Sequence, residues 1–426
     1  MDVLIHAGGV QTEMTSVAVR AKVAAHAIRE VSDVQRSAAL SAAATSVGAH
    51  LEDILAANQN DVTNATACGV PPAVLDRLLL DEERIHSMVA RIEAVSALPD
   101  PVGRELARWR RPNGLEIARV STPIGVIGMI YESRPDVTAE AAAICVKSGN
   151  AVILRGGSYG RASSAAIHAA IVENLPNFGI SRDTVQLVAT ADRAAVDLML
   201  GGLYDSIDVL IPRGGQHLVA RVKKEARVAV LAHLEGVCHV FVHGDADLQK
   251  ARKIVLNSKM RRTGICGAAE SLLIDCAVLE SHGVAILSDL QSAGCEIRAD
   301  EHVRAIFPSA KQATEKDWST EYLAGIISVK TVNGLESAIR HIECYGSNHT
   351  ESIVTESPDV ADRFLSAVDS AIVLWNASTQ FADGYEFGMG GEMGIGTGKL
   401  HARGPVSAEQ LTSFKYVVRG DGQIRP

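Results

Sequence analysis

The segment Arg262-Thr263-Gly264-Ile265-Cys266-Gly267-Ala268 has the residue types of a covalent catalyst. A thiolate attacking an electrophilic carbon needs an unobstructed approach. Small flanking residues give it that, and turn amides stabilise both the thiolate and the oxyanion formed by its attack. A small buried thiol is the other reading, and local spacing leaves both open. Cys145 lies in the apolar run 141–146 and Cys238 opens an apolar strand, so both read as core. Cys68, Cys276, Cys295 and Cys344 carry no activating pattern. No pair of the seven cysteines is spaced Cys-x-x-Cys, which speaks against a zinc ribbon or a thioredoxin-type motif, and no metal site is expected.

Two loops share an Arg-Gly-Gly pattern between a strand and a helix: Arg155-Gly156-Gly157-Ser158 and Arg213-Gly214-Gly215-Gln216. Amides at a helix N-terminus bind phosphate, and an arginine adds a bidentate grip. Neither loop is Gly-x-Gly-x-x-Gly, and strand–helix turns often contain glycine anyway. Glu132-Ser133-Arg134-Pro135-Asp136 ends an apolar strand, where charged groups face either the usual ligand crevice or solvent. Residues 388–398 hold six glycines in eleven positions, a composition that fits a mobile lid, a tight ligand loop or a linker.

The elements that must position these groups are legible from periodicity. Residues 13–98 read as helices, with a capping box at Ser32-x-x-Gln35, a cap at Asp81 and a break at Pro71-Pro72. Asn113-Gly114 signals a hairpin between two short polar strands. From residue 122 strands alternate with helices: strands at 124–130, 151–154, 185–188, 209–211, 228–231 and 239–242, helices at 137–146, 162–173, 191–200 and 217–224. A second alternation follows Cys266, with strands at 271–274, 296–298, 326–330, 352–354 and 372–375 and helices at 278–291, 335–341 and 361–367. Two α/β units with parallel sheets are expected to flank residue 240, with Cys266 between them and a last strand at 414–419.

The 426 residues call for two or three domains, and the charged fraction of 21% is that of a globular chain. The formal net charge of −9 argues against a nucleic-acid partner. Leu4-Ile5 is too short an apolar run for a signal peptide, and no stretch approaches the ~20 apolar residues of a membrane span. A cytoplasmic protein is expected.

Several stretches together resemble one family. They are Thr122-Pro-Ile-Gly-Val-Ile-Gly128, Glu132-Ser-Arg-Pro-Asp136, Lys147-Ser-Gly-Asn-Ala-Val-Ile-Leu-Arg-Gly-Gly157, Gly264-Ile-Cys266, Asn376-Ala-Ser-Thr379, Gly394-Ile-Gly396 and His401-Ala-Arg-Gly-Pro405. They look like the γ-glutamyl phosphate reductases, also called glutamate-5-semialdehyde dehydrogenases, and the resemblance runs in order from about residue 13 to 419. These lie within the aldehyde dehydrogenase superfamily.

The resemblance implies NADPH-dependent reduction of L-glutamyl 5-phosphate to L-glutamate 5-semialdehyde with release of phosphate, a step of proline synthesis. The family's nucleophile falls on Cys266, whose attack gives a thioacyl enzyme. The superfamily's adenosine-ribose lysine falls on Arg155, suited to the extra phosphate of NADP, and its nicotinamide-ribose glutamate on Glu321. Arg155, Gly156, Gly157, Ser158, Arg213, Gly214, Gly215 and Glu321 are the candidate cofactor residues. Ser133, Arg134, Arg262, Asn376 and Arg403 are the candidate substrate residues: Arg134 for the carboxylate, Arg262 or Arg403 for the phosphate, Ser133 or Arg134 in place of the superfamily's oxyanion asparagine. The superfamily's water-activating glutamate falls near Glu235, where a strong base would hydrolyse the thioester. The commonest family form has arginines where this chain has Gln380 and Glu386.

The expected division is a cofactor-binding domain at 1–102 and 122–237, a catalytic domain at 238–406, and a ribbon with a C-terminal strand at 103–121 and 407–426. A homo-oligomer built through that ribbon and glutamate kinase as a partner are further implications. The alternatives are a hydrolysing or CoA-acylating aldehyde dehydrogenase on the same fold, and a non-catalytic subunit.

Overall fold

The computed structural model describes residues 2–425, and for residues 2–8 and 73 the backbone alone; the side chains of Leu4 and Ile5 lie outside the described residues. The chain divides into two compact units. One is Met1–Ala232 with Gly388–Gly394 and Leu400–Pro426, and the other is His233–Phe387 with Ile395–Lys399. Among the described residues no helix is long and apolar enough to cross a membrane.

The first unit holds a five-stranded parallel sheet in the order Val185–Leu187, Ala151–Gly156, Val126–Tyr131, Val209–Arg213, Ala229–Val230. The chain moves outward on one side of Val126–Tyr131 and then returns to its other side, which creates a switch point at that strand. Val126–Tyr131 is buried along its whole length, so helices must cover both faces. Gly128 is required there, because a Cβ would stand 2.5 Å from the Leu210 side chain. The helix Val137–Lys147 is buried everywhere except Glu140, and its alanines allow that close approach.

Helices Asp33–Ala49, Leu51–Ala67 and Glu82–Ser96 build the N-terminal cover. Ser32 and Gln35 form the expected capping box, Asp81 accepts from the Arg84 amide, and Pro72 opens a short helix after the break. The stretch Lys147–Asn150 is a structural anchor. The buried Lys147 ammonium lies 2.8 Å from Asp33 and 2.8 Å from the Ser37 hydroxyl. The Asn150 side chain accepts from the Gly125 amide and donates to the Leu411 carbonyl.

Residues Gly390–Gly394 are buried, and the Glu392 amide donates to Glu140 at 3.0 Å. A Cβ on Gly390 would stand 3.1 Å from the backbone of Ala94, so this part of the glycine-rich segment is closely fitted backbone. The ribbon strands Glu105–Arg110, Glu116–Pro123 and Thr412–Arg419 form an antiparallel sheet, turned at Asn113-Gly114, where Gly114 has φ +90°.

The second unit holds seven parallel strands in the order Lys311–Gln312, Glu296–Ala299, Ile326–Val332, Ala269–Asp275, Cys238–Val242, Thr350–Val354, Ile372–Trp375. Two apolar clusters fill it, one around Val240, Leu272 and Ile297, the other around Phe241, Ile342 and Phe364. The helix Leu248–Met260, capped by Asp247, has no counterpart in the sequence expectations. Its lysines and arginines hide a narrow buried face of Ala251, Val255 and Ser258. Of the helix expected at 278–291, only Val284–Ser292 is regular α-helix.

Candidate active site

Three neighbouring strands of the second unit assemble the site. Ala269–Asp275, Cys238–Val242 and Thr350–Val354 lie side by side. The register sets Cys238 opposite Ala269 and His239 opposite Glu351, so their amino ends are level. The segments entering these strands carry Cys266, His233 and His349. Cys266 Sγ and one nitrogen of each imidazole all lie within 4.8 Å of one another.

Close backbone packing holds the cysteine loop. A Cβ on Gly236 would fall 2.1 Å from the Cys266 carbonyl oxygen, so only glycine lets the 234–237 segment pass there. The Cys238 thiol donates to that same carbonyl at 3.1 Å. Ala268 N–H closes a turn onto the Ile265 carbonyl. On the other side Gly267 faces the Thr379 carbonyl, 3.0 Å from where its Cβ would be. The His233 Nδ1–H donates to the Ile395 carbonyl at 2.7 Å, which turns Nε2 into the acceptor. His349 Nδ1 lies 2.8 Å from the Thr350 hydroxyl.

Burial on its own pushes the Cys266 thiol up; the His349 and His233 imidazoles outweigh it and hold the thiol well below its ordinary value. Burial moves Cys145 and Cys238 the opposite way, and lifts Cys295 to about 11. Glu321 lies close by. Its carboxylate accepts from the Gly236 amide at 2.9 Å, and burial, joined by the charge at Cys266, raises it. The arrangement suits a thiolate held ready between two imidazoles.

The remaining candidates fall into two groups. In the second unit, Arg262 is exposed and its carbonyl accepts from Gln380, which also donates to the Ser258 carbonyl and accepts from Arg261. Gln380 thus stitches the end of the helix Leu248–Met260 to the start of the cysteine loop, and Glu386 is exposed. Both polar atoms of the Asn376 side chain bond the Thr355 backbone, and Asn376 itself has φ +52°.

In the first unit, Arg155, Gly156, Gly157 and Ser158 stand at the carboxyl end of their strand. Arg155 bonds the Gly156 and Ala191 carbonyls and lies in the field of Arg161 and Arg193; burial and those two charges lower it. The second loop holds an anion of its own. Glu132 accepts from the Gly215 amide at 3.2 Å, and a Cβ on Gly214 would meet that carboxylate at 2.6 Å. Arg213 pairs with Glu392 at 3.7 Å. Ser133 has φ +49°, and Ser133, Arg134 and Arg403 are partly buried.

The histidines are what sequence reasoning missed. Neither sits in a recognisable motif, and strand order alone brings them to Cys266. The signal available was Gly236, whose neighbours include His233, together with the small polar run Gly346-Ser347-Asn348 that precedes His349.

A model of the aldehyde dehydrogenase family matches residues 5–303. A γ-glutamyl phosphate reductase of Caulobacter sp. is 59% identical over 416 residues, 98% of this chain and 99% of that protein. One of Parvibaculum lavamentivorans is 57% identical over 413 residues, 97% of each. The crystal structure of a γ-glutamyl phosphate reductase of Thermotoga maritima superposes with a TM-score of 0.93 at 41% identity, covering 97% of this chain and all of that one. With the fold and nearly the whole length matched, the chain belongs to the aldehyde dehydrogenase family and, within it, to the γ-glutamyl phosphate reductases.

Proposed function

We propose that the chain reduces L-glutamyl 5-phosphate to L-glutamate 5-semialdehyde with release of phosphate, in proline biosynthesis. The observation that carries this reading is the Cys266 thiol set between His349 and His233 in a chain so close to proteins named for that reaction. The Cys266 thiolate attacks the acyl carbon, an S–C bond forms, and the C–O bond breaks as phosphate leaves with its electron pair. A bound nicotinamide supplies the hydride equivalent that takes the thioester to the aldehyde level. Breaking the S–C bond then frees the aldehyde and restores the thiolate. The two imidazoles stabilise that thiolate at both ends of the cycle. Arg134 for the substrate carboxylate, with Arg262 or Arg403 for the phosphate, complete the assignment by charge.

The family implies a nicotinamide cofactor, and the residues of the first unit fit NADP. Arg155, Arg161 and Arg193 cluster at the carboxyl end of Ala151–Gly156, and the Arg155 Nε is buried without a hydrogen-bond partner. A 2′-phosphate answers that concentration of guanidinium charge. Gly156 and Gly157 would each place a Cβ 3.3 Å from Tyr131 or Glu132, so glycine lets this turn pack closely against the end of Val126–Tyr131. The Gly215 amide already serves Glu132, which gives the first loop the larger share of cofactor binding.

The ribbon exposes Leu106, Trp109, Phe414, Tyr416 and Val418, and the Trp109 and Tyr416 rings meet edge-on at 6.1 Å. Such a row on a sheet suits a second copy of the chain.

The test of the reaction runs it in reverse, with glutamate semialdehyde and NADP⁺. NADP⁺ reduction that requires inorganic phosphate is the expected result. Turnover that ignores phosphate but follows water or CoA would replace this reading with the hydrolysing or acylating one.

A further inference from the structure

We propose that Cys266, His233 and His349 form a reversible zinc site, and that a bound Zn²⁺ switches the enzyme off by capping its nucleophile. The inference rests on the reading of Cys266 as that nucleophile.

The donor set is one thiolate sulfur and two imidazole nitrogens, with all three atoms within 4.8 Å of one another. Zn²⁺ binds such soft and borderline ligands at about 2.3 Å for sulfur and about 2.0–2.1 Å for nitrogen. A tetrahedral ion therefore needs ligand atoms about 3.4–3.6 Å apart, a contraction within reach of side-chain torsions. The three ligands enter on three adjacent strands, and a three-ligand set gives a tetrahedral ion one further position for an exchangeable ligand.

The outer contacts are those of a metal-ready pair. His233 is oriented by its Nδ1–H on the Ile395 carbonyl, so its Nε2 carries a lone pair. The Thr350 hydroxyl can accept in the same way from His349 Nδ1, and the buried His349 Nε2 has no hydrogen-bond partner. Hard cations such as Mg²⁺ prefer oxygen donors, so this set selects against them. Coordination to zinc draws charge from the thiolate and sets the ion against the sulfur, which suppresses its attack on the acyl carbon. Metal occupancy then opposes turnover.

The experiment uses the whole chain, stripped with EDTA and titrated with Co²⁺ and then Zn²⁺. One equivalent of Co²⁺ should give a thiolate-to-cobalt charge-transfer band and the intense visible bands of a tetrahedral site, and Zn²⁺ should abolish both. Zn²⁺ should shield Cys266 from iodoacetamide in peptide mass maps, while the exposed Cys68, Cys276 and Cys344 stay reactive. EDTA should restore reactivity, and Mg²⁺ should not shield. His349→Ala should weaken Zn²⁺ binding by at least about 10-fold. His233→Gln provides a second variant should the first fail to fold. A weak octahedral cobalt spectrum, or zinc affinity unchanged in both variants, overturns the site. The spectral signal needs no turnover. A chain that fails the phosphate-dependent assay but shows the thiolate band loses the reductase reading alone, and one that turns over without the band loses the zinc site alone.

Discussion

The Lys259 ammonium lies 2.5 Å from the Glu270 carboxylate, with both side chains out of contact with solvent. Lys259 ends the helix Leu248–Met260 and Glu270 begins the strand Ala269–Asp275, so the pair pins the two ends of the loop that carries Cys266. Glu270 also accepts from the Leu323 amide, which extends the clamp to the segment of Glu321. Burial lifts the Glu270 carboxyl to about 7 even with Lys259 beside it. Glu270→Gln leaves a buried ammonium without its counter-charge, and a loss of about 3–5 kcal/mol in urea unfolding is expected. Lys259→Met/Glu270→Leu should recover part of that stability. A double variant no more stable than Glu270→Gln would show that the clamp matters for more than charge balance.

The imidazoles hold the Cys266 thiol below its ordinary value, so His349→Ala should slow its alkylation by iodoacetamide near pH 7 by about 10-fold or more. Cys266 should still be the first of the seven cysteines to react in the unaltered chain. Peptide mapping at short times reads both. Equal rates in the variant and the parent would remove His349 from the site.

Gly236→Ala is the sharpest steric probe. Its methyl group would overlap the Cys266 carbonyl at 2.1 Å, where backbone rather than a flexible side chain must move. We expect kcat to fall by about 100-fold or more, because displacements near 1 Å at a nucleophile cost that much. Circular dichroism should retain the helical content of the parent. Wild-type kcat would mean that the 234–237 segment is free to yield.

Arg155→Ala should separate the two nicotinamide cofactors. Loss of a charge-assisted contact is worth about 1.5–3 kcal/mol, or roughly 10- to 100-fold in the KM for NADPH. The KM for NADH should change little. A matched rise in both would place Arg155 on a part common to the two molecules.

How far the sequence reached depends on what kind of signal each feature leaves. Val126–Tyr131 and Cys238–Val242 announce themselves as apolar runs, and Ser32 and Gln35 as a capping box, because these are local. The small neighbours of Cys266 leave it open between a nucleophile and a buried thiol, and only the family resemblance points to the first. His233 and His349 are not legible, since only the side-by-side placement of strands far apart in sequence brings them to the sulfur. The helix Leu248–Met260 escaped because charged residues interrupt its buried face. Lys147 and Asn150 carry part of the family resemblance in sequence, yet in the structure they donate to the Ser96 and Leu411 carbonyls and anchor backbone. Motifs alone do not divide anchoring from chemistry.

His341 gives the chain a weak point in acid. Its ring packs among Trp318, Tyr345 and His239, and burial, helped by the nearby His239 and Lys330, lowers it from 6.5 to about 3. The folded state holds this imidazole neutral, while the unfolded chain takes up a proton near 6.5. The group therefore adds stability above pH 6.5 and loses it as pH falls from about 6.5 toward about 3, by roughly 1.4 kcal/mol per unit. His341→Phe keeps a ring in the stack and removes the titration. Its stability relative to the parent should rise steadily as the pH drops through that window, read as urea midpoints at matched m-values. A constant difference between the two proteins across that range would mean that the folded chain lets His341 charge.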